Sequence, residues 1–120
     1  MGNQRNENVN LQYANSYFKL EPRLPSRQMR AVLTILATDP ELDRLTSRYV
    51  DIPGDCITWN EIFAQPMSSG HRCALEWAAV IWSDRLPDNA YNIFEASFNL
   101  DQQLKGAVLK AMALVWGIWN

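Results

Sequence analysis

Along most of this chain the apolar positions recur at helical spacing. The clearest case runs from Ser68 to Asp84, where Ala74, Trp77, Ala78 and Ile81 form a stripe. Leu75, Val80 and Trp82 widen that stripe around the cylinder, so neighbours must cover this helix on more than one side. Ser68 or Ser69 suits its N-cap, and Leu86-Pro87 ends it at about Arg85. The other apolar segments are expected to be its covering.

Before it, Ser26 caps a helix reaching about Ala37, with Met29, Val32, Leu33, Ile35 and Leu36 on the buried face. Thr38-Asp39-Pro40-Glu41 starts a second helix, in which Leu42, Leu45 and Tyr49 face inward. Asp43, Arg44, Ser47 and Arg48 are expected mostly outside, and the pair makes an αα-hairpin. Pro53-Gly54 marks a turn, and a short helix follows over Ile57 to Ala64 with Thr58 as cap and Glu61 three residues on. After the central helix, Asp88 is expected to cap a helix whose Tyr91, Phe94, Ala96 and Phe98 make an aromatic face. The last helix opens at Asn99 or Asp101 and carries Leu104, Val108, Met112, Val115 and Trp119 on one stripe. No strand alternation extends beyond Val9 to Tyr13.

The pattern predicts an all-α fold: a compact single-domain bundle of five to six helices around a central helix near 69–85, with an N-terminal arm. Residues 1–24 are the arm and residues 25–120 the helical domain. Four asparagines precede Leu11. Beyond them Leu11, Tyr13, Tyr17, Phe18, Leu20 and Leu24 are too apolar to stay in water, so the arm either lies across its own domain or docks on another chain.

Composition narrows the classes. A chain of 120 residues with 48% hydrophobic and 11% aromatic content builds a real core. Up to Val50 it holds 7 basic and 5 acidic residues, and from Asp51 on 4 and 8, giving +2 and −4. Nucleic acid is therefore not expected as a partner, and the cluster Arg23, Arg27 and Arg30 beside Tyr17 and Phe18 reads as a solvated helix start. Met-Gly-Asn-Gln-Arg-Asn is too polar for a signal peptide, and Asn6 stands where a myristoylation signal needs Ser or Thr. The longest apolar run, Ala111 to Trp119, is too short for a bilayer. No membrane association is expected. Cys56 and Cys73 read as reduced thiols, and the localisation expected is cytoplasmic.

Chemistry-bearing motifs are missing. There is no Gly-rich phosphate loop, nucleophile elbow or Cys-x-x-Cys, and one histidine with two cysteines matches no recognised zinc spacing. No cofactor, metal site or catalytic residue is assigned. The enzymatic alternative uses His71 with Cys56 or with the loop carboxylates Asp51, Asp55 and Glu61. His71 and Cys73, two apart on one helix, face away from each other, and a capping or packing histidine is preferred. Arg72, at an unfavourable helix start, should seek a carboxylate among the loop acids and is a structural or partner-binding arginine.

Five tryptophans, Trp59, Trp77, Trp82, Trp116 and Trp119, stand out. Trp116 and Trp119 cannot both be deep unless something covers the chain's end, and tryptophan concentrates at interface hot spots. The stretch Val115 to Asn120 is either tucked under the arm or is a self-association or partner surface.

Four motifs in order carry a resemblance. They are Leu33-Thr34-Ile35-Leu36-Ala37-Thr38-Asp39, Ile57-Thr58-Trp59, Ser69-Gly70-His71-Arg72 leading to Ala78 and Trp82, and Tyr91-Asn92-Ile93-Phe94-Glu95-Ala96-Ser97. Over Leu33 to Met112 the chain is similar to a family of small uncharacterised all-helical bacterial proteins of Gram-positive genomes and their mobile elements. The tryptophan-rich C-terminus departs from that family's pattern. The resemblance implies a phage or mobile-element setting and carries no activity.

The function expected is a non-enzymatic protein–protein interaction module that binds a host or defence protein or associates with itself as a homodimer. Trp116, Trp119, Tyr17, Phe18 and Arg72 are the candidate partner-binding residues.

Overall fold

Six α-helices form among the residues that the computed structural model describes, 25–83 and 92–118. Helix α1 spans Arg27–Leu36, α2 Pro40–Thr46, α3 Trp59–Phe63, α4 Ser69–Ser83, α5 Ile93–Ala96 and α6 Gln102–Trp116. Two 3₁₀ turns, Ser47–Tyr49 and Ser97–Asn99, continue α2 and α5. The fold is all-α.

The starts of these helices are set locally. Ser26 Oγ accepts from Met29 N–H at 3.1 Å, and Asp39 Oδ1 from Glu41 N–H at 2.7 Å. Ser68 Oγ accepts from His71 N–H at 3.2 Å, and Asp101 Oδ1 from Leu104 N–H at 2.8 Å. Each satisfies one of the donors that a helix start leaves without an intrahelical partner.

Helix α1 packs against both α4 and α6, and these two pack against each other. Met29, Val32, Leu33, Ile35 and Leu36 of α1 are fully buried in that junction. Helix α4 adds Ala74, Leu75 and Ala78, and α6 adds Leu104, Val108 and Ala111. On another side α4 is covered by α5 and the 3₁₀ turn after it, as its wide apolar stripe requires. Its expected end near Arg85 lies outside the described residues.

Several local expectations are corrected. The Pro53-Gly54 turn is flanked by a two-residue hairpin, β1 (Val50–Asp51) and β2 (Cys56–Ile57), antiparallel with Val50 opposite Ile57. Strands this short carry no period to read. A Cβ on Gly54 would collide with the Asp51 carboxylate, and Asp55 sits at φ 54°, a region Asp tolerates better than most residues. Ile57 belongs to β2, so α3 starts only at Trp59 and the Thr58 side chain makes no capping bond.

Asp43 is buried, not outside. Asn92 caps α5 by accepting from Glu95 N–H at 3.2 Å, whereas Asp88 and Tyr91 lie outside the described residues. With one turn of helix there is no continuous buried face, and Phe94 and Phe98 are exposed. No helix among the described residues is long and apolar enough to cross a membrane.

Candidate functional site

Helix α6 divides its side chains by face. Leu104, Ala107, Val108 and Ala111 point into the core. On the opposite face, Gly106, Leu109 and Trp116 look outward, with half-buried Ala113 between the last two. Leu109 is 66% exposed, Trp116 69% and Ile118, just beyond the helix, 75%. Trp116 is the one exposed tryptophan among those described, since Trp59, Trp77 and Trp82 are half-buried against the core.

The end of α6 is fixed by its C-terminal residues. Gly117 adopts φ 79°, its N–H donates to Leu114 C=O at 3.1 Å, and Ile118 N–H donates to Ala113 C=O at 3.0 Å. This paired 5→2 and 6→1 closure is the Schellman arrangement, which favours glycine at that position. Arg27 of α1 covers it: a Cβ on Gly117 would stand 3.0 Å from the Arg27 guanidinium. The Arg27 side chain of α1 therefore lies beside the turn that ends α6. Gly106 is different. A Cβ there would meet nothing within 4 Å among the described residues, so no packing against them requires glycine at this mid-helix position. It costs helix stability of roughly 0.5–1 kcal/mol relative to alanine.

The half-buried tryptophans Trp59 and Trp77 are engaged internally. Trp77 Nε1–H donates to Ser97 Oγ at 2.6 Å, and Ser97 Oγ–H donates to Ile93 C=O at 2.6 Å. The Phe94 ring meets Trp77 edge-on at 5.8 Å. Trp59 and Phe63 stack at 6.0 Å, and the buried Trp59 indole N–H has no acceptor among the described residues.

Arg72 does not reach the loop acids. Its guanidinium lies 5.3 Å over the Phe63 ring, and its Nε stands 3.6 Å from Oε2 of Glu76, one turn further along α4. Glu76 is 3% exposed; burial pushes its carboxyl above the usual range and Arg72 offsets only part of that. The loop acids serve the hairpin instead. Asp51 Oδ1 accepts from Gly54 N–H at 3.1 Å, Asp55 Oδ1 accepts from Ser26 Oγ–H at 2.8 Å, and Glu61 is exposed.

His71 forms a polar bridge between helix starts. Its Nδ1 lies 2.9 Å from Ser68 Oγ and its Nε2 3.0 Å from Asp39 Oδ2, the N-cap of α2. In the neutral ring, a proton on Nε2 lets His71 donate to Asp39 and accept from Ser68. From α6, Gln103 Nε2 donates to Thr38 C=O at 3.2 Å, so the α1–α2 turn is tied to both long helices. Burial opposes ionisation of Asp39, but the hydrogen bonds from the His71 ring and Glu41 N–H outweigh it and hold the carboxyl below its usual value. Cys73 faces away, with Sγ 3.6 Å from Ser97 Oγ, and burial pushes its thiol up. Cys56 is exposed on β2 and is not among the partners of His71; both thiols are free.

Of the sequence candidates, then, Trp116 is displayed and Arg72 is turned to Phe63 and Glu76. Tyr17, Phe18 and Trp119 lie outside the described residues, as does Arg23 of the basic cluster, whose exposed Arg27 lies beside Gly117. Leu109 was missed, although a large apolar residue one step off the Leu104–Val108–Met112 stripe was a signal for it. Comparison with protein families, curated proteins and solved structures finds no match.

Proposed function

We propose that the protein is a non-enzymatic protein–protein interaction module whose contact surface is the outward face of α6 and the corner beyond it. The observation that carries this is the exposure of Leu109, Trp116 and Ile118 along the C-terminal half of α6 and just beyond it. Helical rise places Leu109 and Trp116 about 10 Å apart on the same side. Single exposed apolar residues are ordinary, but a tryptophan with two large aliphatic neighbours in water marks a surface that another molecule removes from water. Arg72, His71, Asp51 and Asp55 have contacts inside the fold, and α6 with its end carries Leu109, Trp116 and Ile118, against Phe94 and Phe98 on α5 and the turn after it. Trp119 extends the same chain end and belongs to this proposal.

The setting proposed is the bacterial cytoplasm, as a phage or mobile-element accessory protein acting on a host or defence protein. Only the motif resemblance supports that setting. The test is capture from bacterial lysate at moderate salt with tagged wild-type, Trp116→Ala and His71→Ala proteins. A stoichiometric partner lost with Trp116→Ala and kept with His71→Ala supports the module. The reverse pattern overturns it.

A second reading rests on the Ser68–His71–Asp39 chain of contacts, which has the order of a hydrolytic triad. It ranks second because Ser68 Oγ already accepts from His71 N–H as the cap of α4. A fluorophosphonate probe that labels Ser68 in the wild type and not in His71→Ala would put this reading first.

A further inference from the structure

Resting on the interaction reading of α6, we infer that the occupant of this face is a second copy of the same chain, paired through α6 in an antiparallel two-fold contact. The outward stripe reads Gly106, Leu109, Ala113, Trp116, with spacings of three, four and three. These spacings are symmetric about position 111. When an identical helix is laid antiparallel across the stripe with that centre on the two-fold axis, Trp116 falls opposite Gly106 of the other copy. Leu109 then falls opposite Ala113. Every level of the contact sets a large side chain against a small one, and the reciprocal pair repeats it, as a two-fold interface demands.

Gly106 gives this register its second support. None of the described residues lies within 4 Å of a Cβ placed there, so its bare backbone serves no contact with them. It offers the floor on which the indole of an opposing Trp116 can rest, and it lets two helix axes approach at the short end of the usual 8–10 Å. Half-buried Ala113 does the same for Leu109. The exposed face of α6 carries no acidic side chain, while Lys105 and Lys110 flank it. The contact is therefore apolar at its centre and does not depend on ion pairs.

Area sets the strength. A patch on the order of 400 Å² per copy is within the usual range for one monomer's largest apolar patch, and a standard interface takes about 800 Å² per partner. This dimer is accordingly weak and reversible, and it is sought by titrating the chain from about 1 µM to about 100 µM.

Sedimentation velocity on the full chain across that range, with wild type, Gly106→Leu and Trp116→Ala, tests it. The expected result is a concentration-dependent dimer in the wild type and its loss in both variants. Gly106→Leu sets its Cβ where none of the described residues stands within 4 Å, and its melting curve checks that the monomer fold is kept. It also adds apolar surface, so adhesion without register would strengthen in this variant, and that outcome overturns the inference. Register is read in a Cys56→Ser background by mixing Gly106→Cys with Trp116→Cys chains. A disulfide between positions 106 and 116 is expected, and none between two positions 106, which stand about 15 Å apart along the axis.

A dimer indifferent to both variants overturns the inference by placing the contact elsewhere. A monomer at all concentrations that still captures another protein through Trp116 overturns it while leaving the interaction reading intact. A monomer that cross-links from position 116 within its own chain gives the face to another part of that chain. A monomer with no Trp116-dependent contact of any kind overturns both readings.

Discussion

The His71–Asp39 contact joins residues 32 apart in sequence, and it links two helix caps. Replacing His71 with Ala removes hydrogen bonds to Asp39 and Ser68 and should lower stability by about 1–2 kcal/mol. A double-mutant cycle with Asp39→Ala should return a coupling of about 1 kcal/mol, measured by urea unfolding. The Asp39 carboxyl lies below its usual value, so its contribution is present above the unfolded value and is lost as pH falls through the folded one. Asp39→Asn should therefore flatten the acid limb of the stability curve below about pH 4.

Glu76 runs the other way. Its carboxyl is raised by burial, so folding favours the protonated form; stability is greatest below the unfolded value and falls as pH rises through the folded value. Glu76→Gln should melt higher than wild type at pH 7, and the gap should close by about pH 4. A gap that widens on acidification would contradict this sign. Asp39 was legible as a cap and His71 as a capping or packing residue. Their pairing was not, because spacing along a chain carries no information about contacts between distant turns. Nor was the burial of Glu76: on the wheel it sits one turn from half-buried Arg72, and spacing along the helix does not say which polar position is covered.

Among the elements, those with a side-chain cap and a full helical stripe were the legible ones. Ser26, Asp39, Ser68 and Asp101 all cap as their residue types suggest. The hairpin and α5 were not legible, since two residues of strand and four of helix are too short for periodicity to act on. The C-terminus of α6 makes its own prediction. Gly117→Ala places a Cβ at φ 79° and within 3.0 Å of the Arg27 guanidinium. It should cost about 1–2 kcal/mol in urea unfolding. Gly106→Ala, with open space and ordinary helix geometry, should raise monomer stability instead, by about 0.5–1 kcal/mol. Two glycines eleven residues apart in sequence thus answer the same substitution with opposite signs.

At the scale of the molecule, α1, α4 and α6 share one apolar junction, and the short elements close it from outside. Among the described residues the exposed large apolar side chains fall in two places, Leu109, Trp116 and Ile118 on α6 and its end, and Phe94 and Phe98 on α5 and the following turn. From sequence, Trp116 and Trp119 fitted a helix end tucked under the arm as well as a partner surface; Trp116 is exposed, and Trp119 lies outside the described residues. Which side of α6 was inner was also legible from the Leu104–Val108 stripe. The open space at Gly106 was not, since a glycine in a helix reads the same whether it is packed or bare.

The most direct measurement places a photo-reactive benzoylphenylalanine at position 109 and, as a control, at the exposed position 44 on α2. Irradiation in bacterial cells should join position 109 to a protein, whether a second copy or another chain, and leave position 44 without a matching adduct. Equal adducts at both positions, or none at 109, would contradict the assignment of α6 as the interaction surface.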